Sequence, residues 1–85
     1  MKGFVVYIQT EYGRCGYLNK RILGNKTDEL KEAIEDDFNE NVRIFPTNEA
    51  AEARIETIEE DFGDYIEYTC VMYFDGQQLI PVDDN

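Results

Sequence analysis

The stretch from Thr47 to Gly63 constrains this chain of 85 residues more than any other. Ala51, Ile55, Ile58 and Phe62 follow at i, i+4, i+7 and i+11, one stripe of a 3.6-residue helix. Thr47 ahead of them suits an N-cap, and Gly63 behind them suits a stop. The opposite side of the same helix carries Glu49, Glu52, Glu56, Glu59 and Glu60. A helix this one-sided buries only its apolar stripe, so the rest of the chain must supply a layer for it to lie on.

Two-residue periodicity supplies that layer. In residues 3–10, Phe4, Val6 and Ile8 alternate with Val5, Tyr7 and Gln9, which reads as a strand central in a sheet or covered on both sides. Residues 11–14 read as a turn and Cys15 to Leu18 as a short returning strand; residues 19–26 show no clear period. Thr27, Asp28 and Glu29 open a further amphipathic helix of about three turns, with Leu30, Ala33, Ile34 and Phe38 turned inward. Residues 42–45 read as a short strand ended by Pro46. Alternation resumes through residues 65–74, Asp75-Gly76 signals a hairpin, and residues 77–82 return with Pro81 marking a sheet edge. The predicted order is ββ-α-β-α-ββ. It describes one α+β domain over residues 1–85, a mostly antiparallel sheet with both helices on one face and a frayed Asp83-Asp84-Asn85.

Composition closes off most chemistry. The chain has no His, Trp or Ser, so the usual general base, neutral metal ligand and hydroxyl nucleophile are absent. Catalysis by paired carboxylates needs a cleft that so small a domain rarely builds. Asp61-Phe62-Gly63 spells a kinase metal-binding triplet without the loops that give it meaning. Neither Asp61, Asp64 and Glu67 nor Asp36, Asp37 and Glu40 has the spacing of a calcium loop. The expectation is a non-enzymatic protein with no cofactor and no metal. Cys15 and Cys70 cannot form a zinc site alone, and free thiols are expected, with a disulfide as the alternative. The apolar run of residues 4–8 is too short for a signal-peptide core or a membrane span, so the expected setting is the cytoplasm, without membrane contact.

What remains is charge. Nineteen acids against eight bases give a formal net charge of −11, unevenly spread. Residues 1–26 hold five bases and one acid, whereas residues 27–85 hold three bases and eighteen acids. Fourteen acids fall in residues 28–40 and 48–64, accompanied only by Lys31 and Arg54. At helical spacing, Glu29 with Glu32, Glu32 with Asp36, Asp36 with Glu40, Glu49 with Glu52, Glu52 with Glu56 and Glu56 with Glu60 are like-charged neighbours. Together they cost on the order of 1–3 kcal/mol at low salt.

Two readings of this acidity compete. In one, carboxylates set along rigid rods imitate a phosphate backbone and engage a partner protein's basic groove built for nucleic acid. Its candidate contacts are Glu29, Glu32, Asp36, Glu49, Glu52, Glu56, Glu59 and Glu60. In the other, acidity serves solubility and the protein is a generic interaction or adaptor domain. Its contact is then a tyrosine-bearing strand with Tyr65, Tyr68 and Tyr73, which join apolar area to a polar tip. Direct binding of nucleic acid is disfavoured by the repulsive field. A homodimer through a sheet edge or the helix-free face stays open.

The run Phe45-Pro46-Thr47-Asn48-Glu49-Ala50-Ala51-Glu52, followed by a helix and then Tyr65-Ile66-Glu67-Tyr68, resembles an arrangement found in small bacteriophage proteins: strand, F-x-T-x-E-E-A, helix, strand. The acidity is similar to that of phage anti-restriction and anti-CRISPR proteins, many of which act as DNA mimics. The resemblance covers roughly a third of the chain and transfers a setting, not a functional residue. It implies an inhibitor that blocks a host defence protein in the host cytoplasm.

Overall fold

The two-sided apolar run of residues 3–10 takes the centre of the sheet. In the computed structural model, which describes residues 2–21 and 27–82, it forms β1 (Gly3–Thr10) and is followed by β2 (Cys15–Leu18) and α1 (Thr27–Glu32). Then come β3 (Ile34–Glu35), α2 (Asn48–Phe62), a 3-10 turn (Gly63–Tyr65), β4 (Ile66–Phe74) and β5 (Leu79–Pro81). The strands form one antiparallel sheet in the order β3-β2-β1-β4-β5. The molecule is an α+β protein with a five-stranded sheet and one main helix.

Side-chain alternation divides the sheet into a covered face and an open one. Val6, Ile8, Leu18, Ile34 and Val71 point to the same side and close on Leu30, Ala33, Ala51, Ile55, Ile58 and Phe62 in one core. The inner stripe of α2 is thus the one its spacing predicts. Phe62 and Ile58 are buried almost completely, worth about 1.5–3 kcal/mol each in transfer from water. Thr47 caps α2 as expected, its extended backbone letting Oγ1 accept the Ala50 N–H at 3.1 Å.

Both hairpins form. Asp75 and Gln78 close the β4–β5 connection through a 3.1 Å backbone bond, and Gly76 supplies the positive φ of 104° that the tight turn requires. Ile80 and Val82 direct their backbone groups toward β4, so Pro81 between them faces outward, where its missing N–H costs nothing. Pro81 does mark a sheet edge. Gly16 serves a different need, because a side chain there would strike the Glu35 carbonyl of the neighbouring β3.

Two expectations are corrected. The helix expected over residues 28–40 ends at Glu32: Ile34 belongs to β3, and Phe38 crosses to the open face, its ring 5.9 Å from Tyr17 and 4.4 Å from Phe74. The carbonyls from Glu32 onward are taken by donors just after β2 and in the turn before it. Asn19 Nδ2 donates to the Glu32 carbonyl and the Asn19 N–H to that of Ala33, each at 2.8 Å, and Arg14 Nη2 donates to the Ile34 carbonyl at 2.7 Å. These bonds stop the helix where local periodicity would extend it.

Residues 42–45, expected as a strand, make only two isolated bridges, Val42 with Asn19 and Phe45 with Phe4. The segment divides its hydrogen bonds between the end of β2 and the start of β1 and builds a ladder with neither. Gly63 follows the last residue of α2, as expected of a stop, with right-handed φ and ψ of −52° and −35° that lead the chain into the 3-10 turn. The expected fraying of residues 83–85 lies outside the described residues.

Candidate functional site

The outer face of α2 collects the strongest sequence signal into one place. Glu49, Glu52, Glu56, Glu59 and Glu60 are all exposed, as is Asp61, and each helical turn carries the stripe about 5.4 Å further. Among the described residues no cation is ion-paired to any of them. Arg54, the one base on the helix, is half-buried, and the last turn carries no base to offset the negative end of the helix dipole.

Four bases are engaged elsewhere. Arg14 pairs with Asp36 at 3.1 Å and Arg21 with Glu32 at 3.3 Å. Lys31 lies 4.8 Å from the centre of the Tyr12 ring, and the Arg43 guanidinium 5.4 Å from that of Phe45. The eight candidate acids therefore separate into two groups. The five on α2 form one stripe that makes no ion pair among the described residues; Glu29 and Glu32 sit on the short α1, and Asp36 in the turn after β3, with Glu32 and Asp36 ion-paired. Because α1 ends at Glu32, the helical pairings of Glu32 with Asp36 and of Asp36 with Glu40 do not exist. The like-charge repulsion resides mainly on α2, roughly 0.6–1.5 kcal/mol for its three pairs.

The tyrosines do not share a surface. Tyr65 belongs to the 3-10 turn, its ring 6.3 Å from that of Tyr12, and is 40% exposed. Tyr68 lies on the open face and is 53% exposed, whereas Tyr73 points to the covered side and packs its ring 5.0 Å from Phe4. Five residues along a strand is an odd step, which turns Tyr73 to the opposite face from Tyr68.

The open face carries a belt that sequence reasoning missed, because only strand order reveals it. Tyr7 and Tyr17 sit opposite each other on β1 and β2 with rings 5.7 Å apart, and Phe38 closes on Tyr17 from above. Burial first, then the neighbouring Tyr7, pushes the Tyr17 phenol above its usual range. A hydrogen bond with the Cys70 side chain does the same for Tyr68. Glu35, at the margin of this face, is held below the usual carboxylate range by bonds from the Asn19 and Asn39 side-chain amides, at 2.9 and 3.0 Å. Cys15 and Cys70 are free thiols on β2 and β4. Those strands flank β1 on opposite sides, about 9.6 Å apart, beyond the roughly 4.4–6.8 Å between Cα atoms that a disulfide spans.

Among the described residues no three carboxylates or thiols gather around a point that would hold a metal ion, and no helix is long and apolar enough to cross a membrane. Comparison with models of protein families, with curated proteins and with solved structures finds no match to this chain.

Proposed function

We propose that the protein is a non-enzymatic inhibitor that lays the acidic face of α2 against a partner's basic nucleic-acid-binding surface, in competition with the nucleic acid itself. The observation that carries this reading is the exposed stripe Glu49, Glu52, Glu56, Glu59 and Glu60, which makes no ion pair among the described residues and is fixed on a helix whose other side is locked into the core. Natural helix surfaces usually intersperse Lys with Glu and gain a few tenths of a kcal/mol per pair; this one forgoes that gain along its whole outer side. Opposed fields steer the encounter, so association is fast and falls steeply with salt. The setting that fits, together with the resemblance to phage DNA mimics, is anti-defence action in a bacterial cytoplasm.

The test is capture from bacterial lysate on the immobilised protein, with elution at about 0.1 M and then about 0.5 M salt. The expected result is a nucleic-acid-binding protein released by the higher salt and displaced by added DNA, and not retained by the triple variant Glu52→Gln, Glu56→Gln, Glu59→Gln. Equal retention by that variant refutes the reading. A partner that resists salt and is lost on Tyr68→Ala supports the adaptor alternative, for which the exposed Tyr68 ring is the specific observation.

A further inference from the structure

Among the described residues the exposed large apolar and aromatic side chains are Tyr12, Tyr65, Tyr68 and Ile80, and two of them adjoin. The rings of Tyr12 and Tyr65 lie 6.3 Å apart, inclined at 43°, and the two residues are 38% and 40% exposed. Both are set on fixed backbone. The Glu11 N–H donates to the Tyr65 carbonyl at 2.9 Å, which ties the β1–β2 turn to the 3-10 turn that ends α2. The Thr10 hydroxyl donates to the Arg14 carbonyl at 2.6 Å and accepts the Arg14 N–H at 3.1 Å, closing the turn that carries Tyr12. A partner that docks here immobilises little that is not already held. The pair also stands in a negative field. The carbonyls of the last turn of α2 place about half a negative charge at that end, and the turn carries no base. Asp61 in that turn, Asp64 beside Tyr65 and Glu11 across the bond just described are all exposed. Lys31 contributes one opposing charge and seats its ammonium 4.8 Å from the centre of the Tyr12 ring. Among the described residues no cation lies over the Tyr65 ring.

We infer that Tyr65, backed by Tyr12, seats an arginine side chain of the basic partner at the end of the acidic stripe. The sign of the partner's charge rests on the acidic-helix reading; what is added is the residue that selects among basic partners. Carboxylates along α2 attract any basic surface and are screened by salt. A ring face is more selective. Its quadrupole attracts cations, and a guanidinium, planar and weakly hydrated, stacks on it where a compact, strongly hydrated ammonium gains less. Tyrosine and arginine are also among the residues that most often dominate the binding energy of interfaces. Lys31 on Tyr12 shows that a cation is accommodated at this pair, and its presence there leaves Tyr65 as the ring for a second one. From Glu60 to Tyr65 the chain advances about 9 Å, two steps of α-helix and three of 3-10 helix. Anchor and stripe therefore fall within one standard interface, which covers roughly 800 Å² of each partner.

The probes are end-capped hexapeptides of arginine, of lysine and of citrulline, the last keeping the planar end without its charge. Each is titrated by calorimetry into the full chain at about 0.15 M salt. The expected result is arginine binding about fivefold tighter than lysine, and citrulline not binding measurably. Tyr65→Ala is expected to remove the arginine preference and Tyr65→Phe to keep it, whereas the triple Gln variant weakens the arginine and lysine peptides alike and keeps their ratio. A preference that is absent from the parent, or unchanged in Tyr65→Ala, overturns the anchor; the acidic-helix reading then stands if the triple Gln variant weakens both cationic peptides. Citrulline bound as tightly as arginine also overturns it, because the site then reads shape and not charge. Should Tyr65→Ala not fold, the Tyr65 ring protons of the parent decide: a larger NMR shift with arginine than with lysine supports the anchor, and equal shifts overturn it. Failure of both cationic peptides to bind overturns the two readings together.

Discussion

Reversing the charge at position 60 measures the electrostatic load on α2. Glu60 lies in the last turn, one turn beyond Glu56, and that turn carries no base of its own. A charge there interacts with the helix dipole by about 0.3–1 kcal/mol, and an i, i+4 pair by about 0.2–0.5 kcal/mol. For glutamate both terms are unfavourable; Glu60→Lys turns both favourable, so the swing is roughly 1–3 kcal/mol at low salt. In a domain of this size 1 kcal/mol moves Tm by about 4–8 °C. Glu60→Gln removes the two penalties without adding attraction and recovers about half the gain. Urea unfolding of the three proteins at about 10 mM and about 1 M salt reads the effect, with unchanged m-values confirming that only stability has moved. A gain that is absent at low salt, or that survives at 1 M, refutes the reasoning, because the stripe would then carry no unscreened repulsion. The same reversal is expected to weaken capture of the basic partner, so stability and binding move in opposite directions.

Other consequences can be checked on the same material. Gly63→Ala should stabilise by about 0.4–1 kcal/mol in urea, since Gly63 has a right-handed backbone with open space around it; a loss of similar size would place it in the left-handed region instead. Thr47→Ala should cost about 1 kcal/mol while Thr47→Ser stays close to the parent, the hydroxyl being the group that meets the Ala50 N–H. The backbone N–H groups of Gln78 and then Gln77 hold the Asp75 carboxyl below its usual range. Its folded pKa is the lower one, so its contribution is complete above the ordinary carboxylate range and disappears as pH falls through the folded value. Asp75→Asn should flatten the stability profile below about pH 4, and identical slopes in the two proteins would contradict that assignment. Mild oxidation should leave both thiols of the monomer titratable, and an intramolecular disulfide found by mass spectrometry would contradict the strand order.

The elements that the sequence announces are those whose causes are local. The N-cap and stripe of α2, the Gly76 turn and the outward Pro81 each depend on residues a few positions apart, and each stands where periodicity and turn chemistry place it. The residues that misled are those whose hydrogen bonds lie far away. Leu30, Ala33, Ile34 and Phe38 do repeat at helical spacing, but Arg14 and Asn19 take the carbonyls of Lys31 to Ile34 from more than a dozen residues off. Residues 42–45 look like a strand and are denied a ladder because two strands compete for them. In the candidate site, the α2 stripe was legible from spacing alone. The diversion of Arg14 and Arg21 to Asp36 and Glu32 and the splitting of the tyrosines between faces follow from strand order, which no short motif encodes.

Arg14 ties this together. It rests in the turn between β1 and β2, donates to the carbonyls of Lys31 and Ile34, and pairs with Asp36. Helix length is therefore not a private property of residues 27–40 but a gauge of whether the hairpin is docked. If the hairpin lifts, the freed carbonyls regain an amphipathic sequence able to continue the coil through Phe38, so detachment would register as a gain of helix signal, the reverse of ordinary unfolding. The chain carries in one guanidinium a built-in reporter of its own assembly.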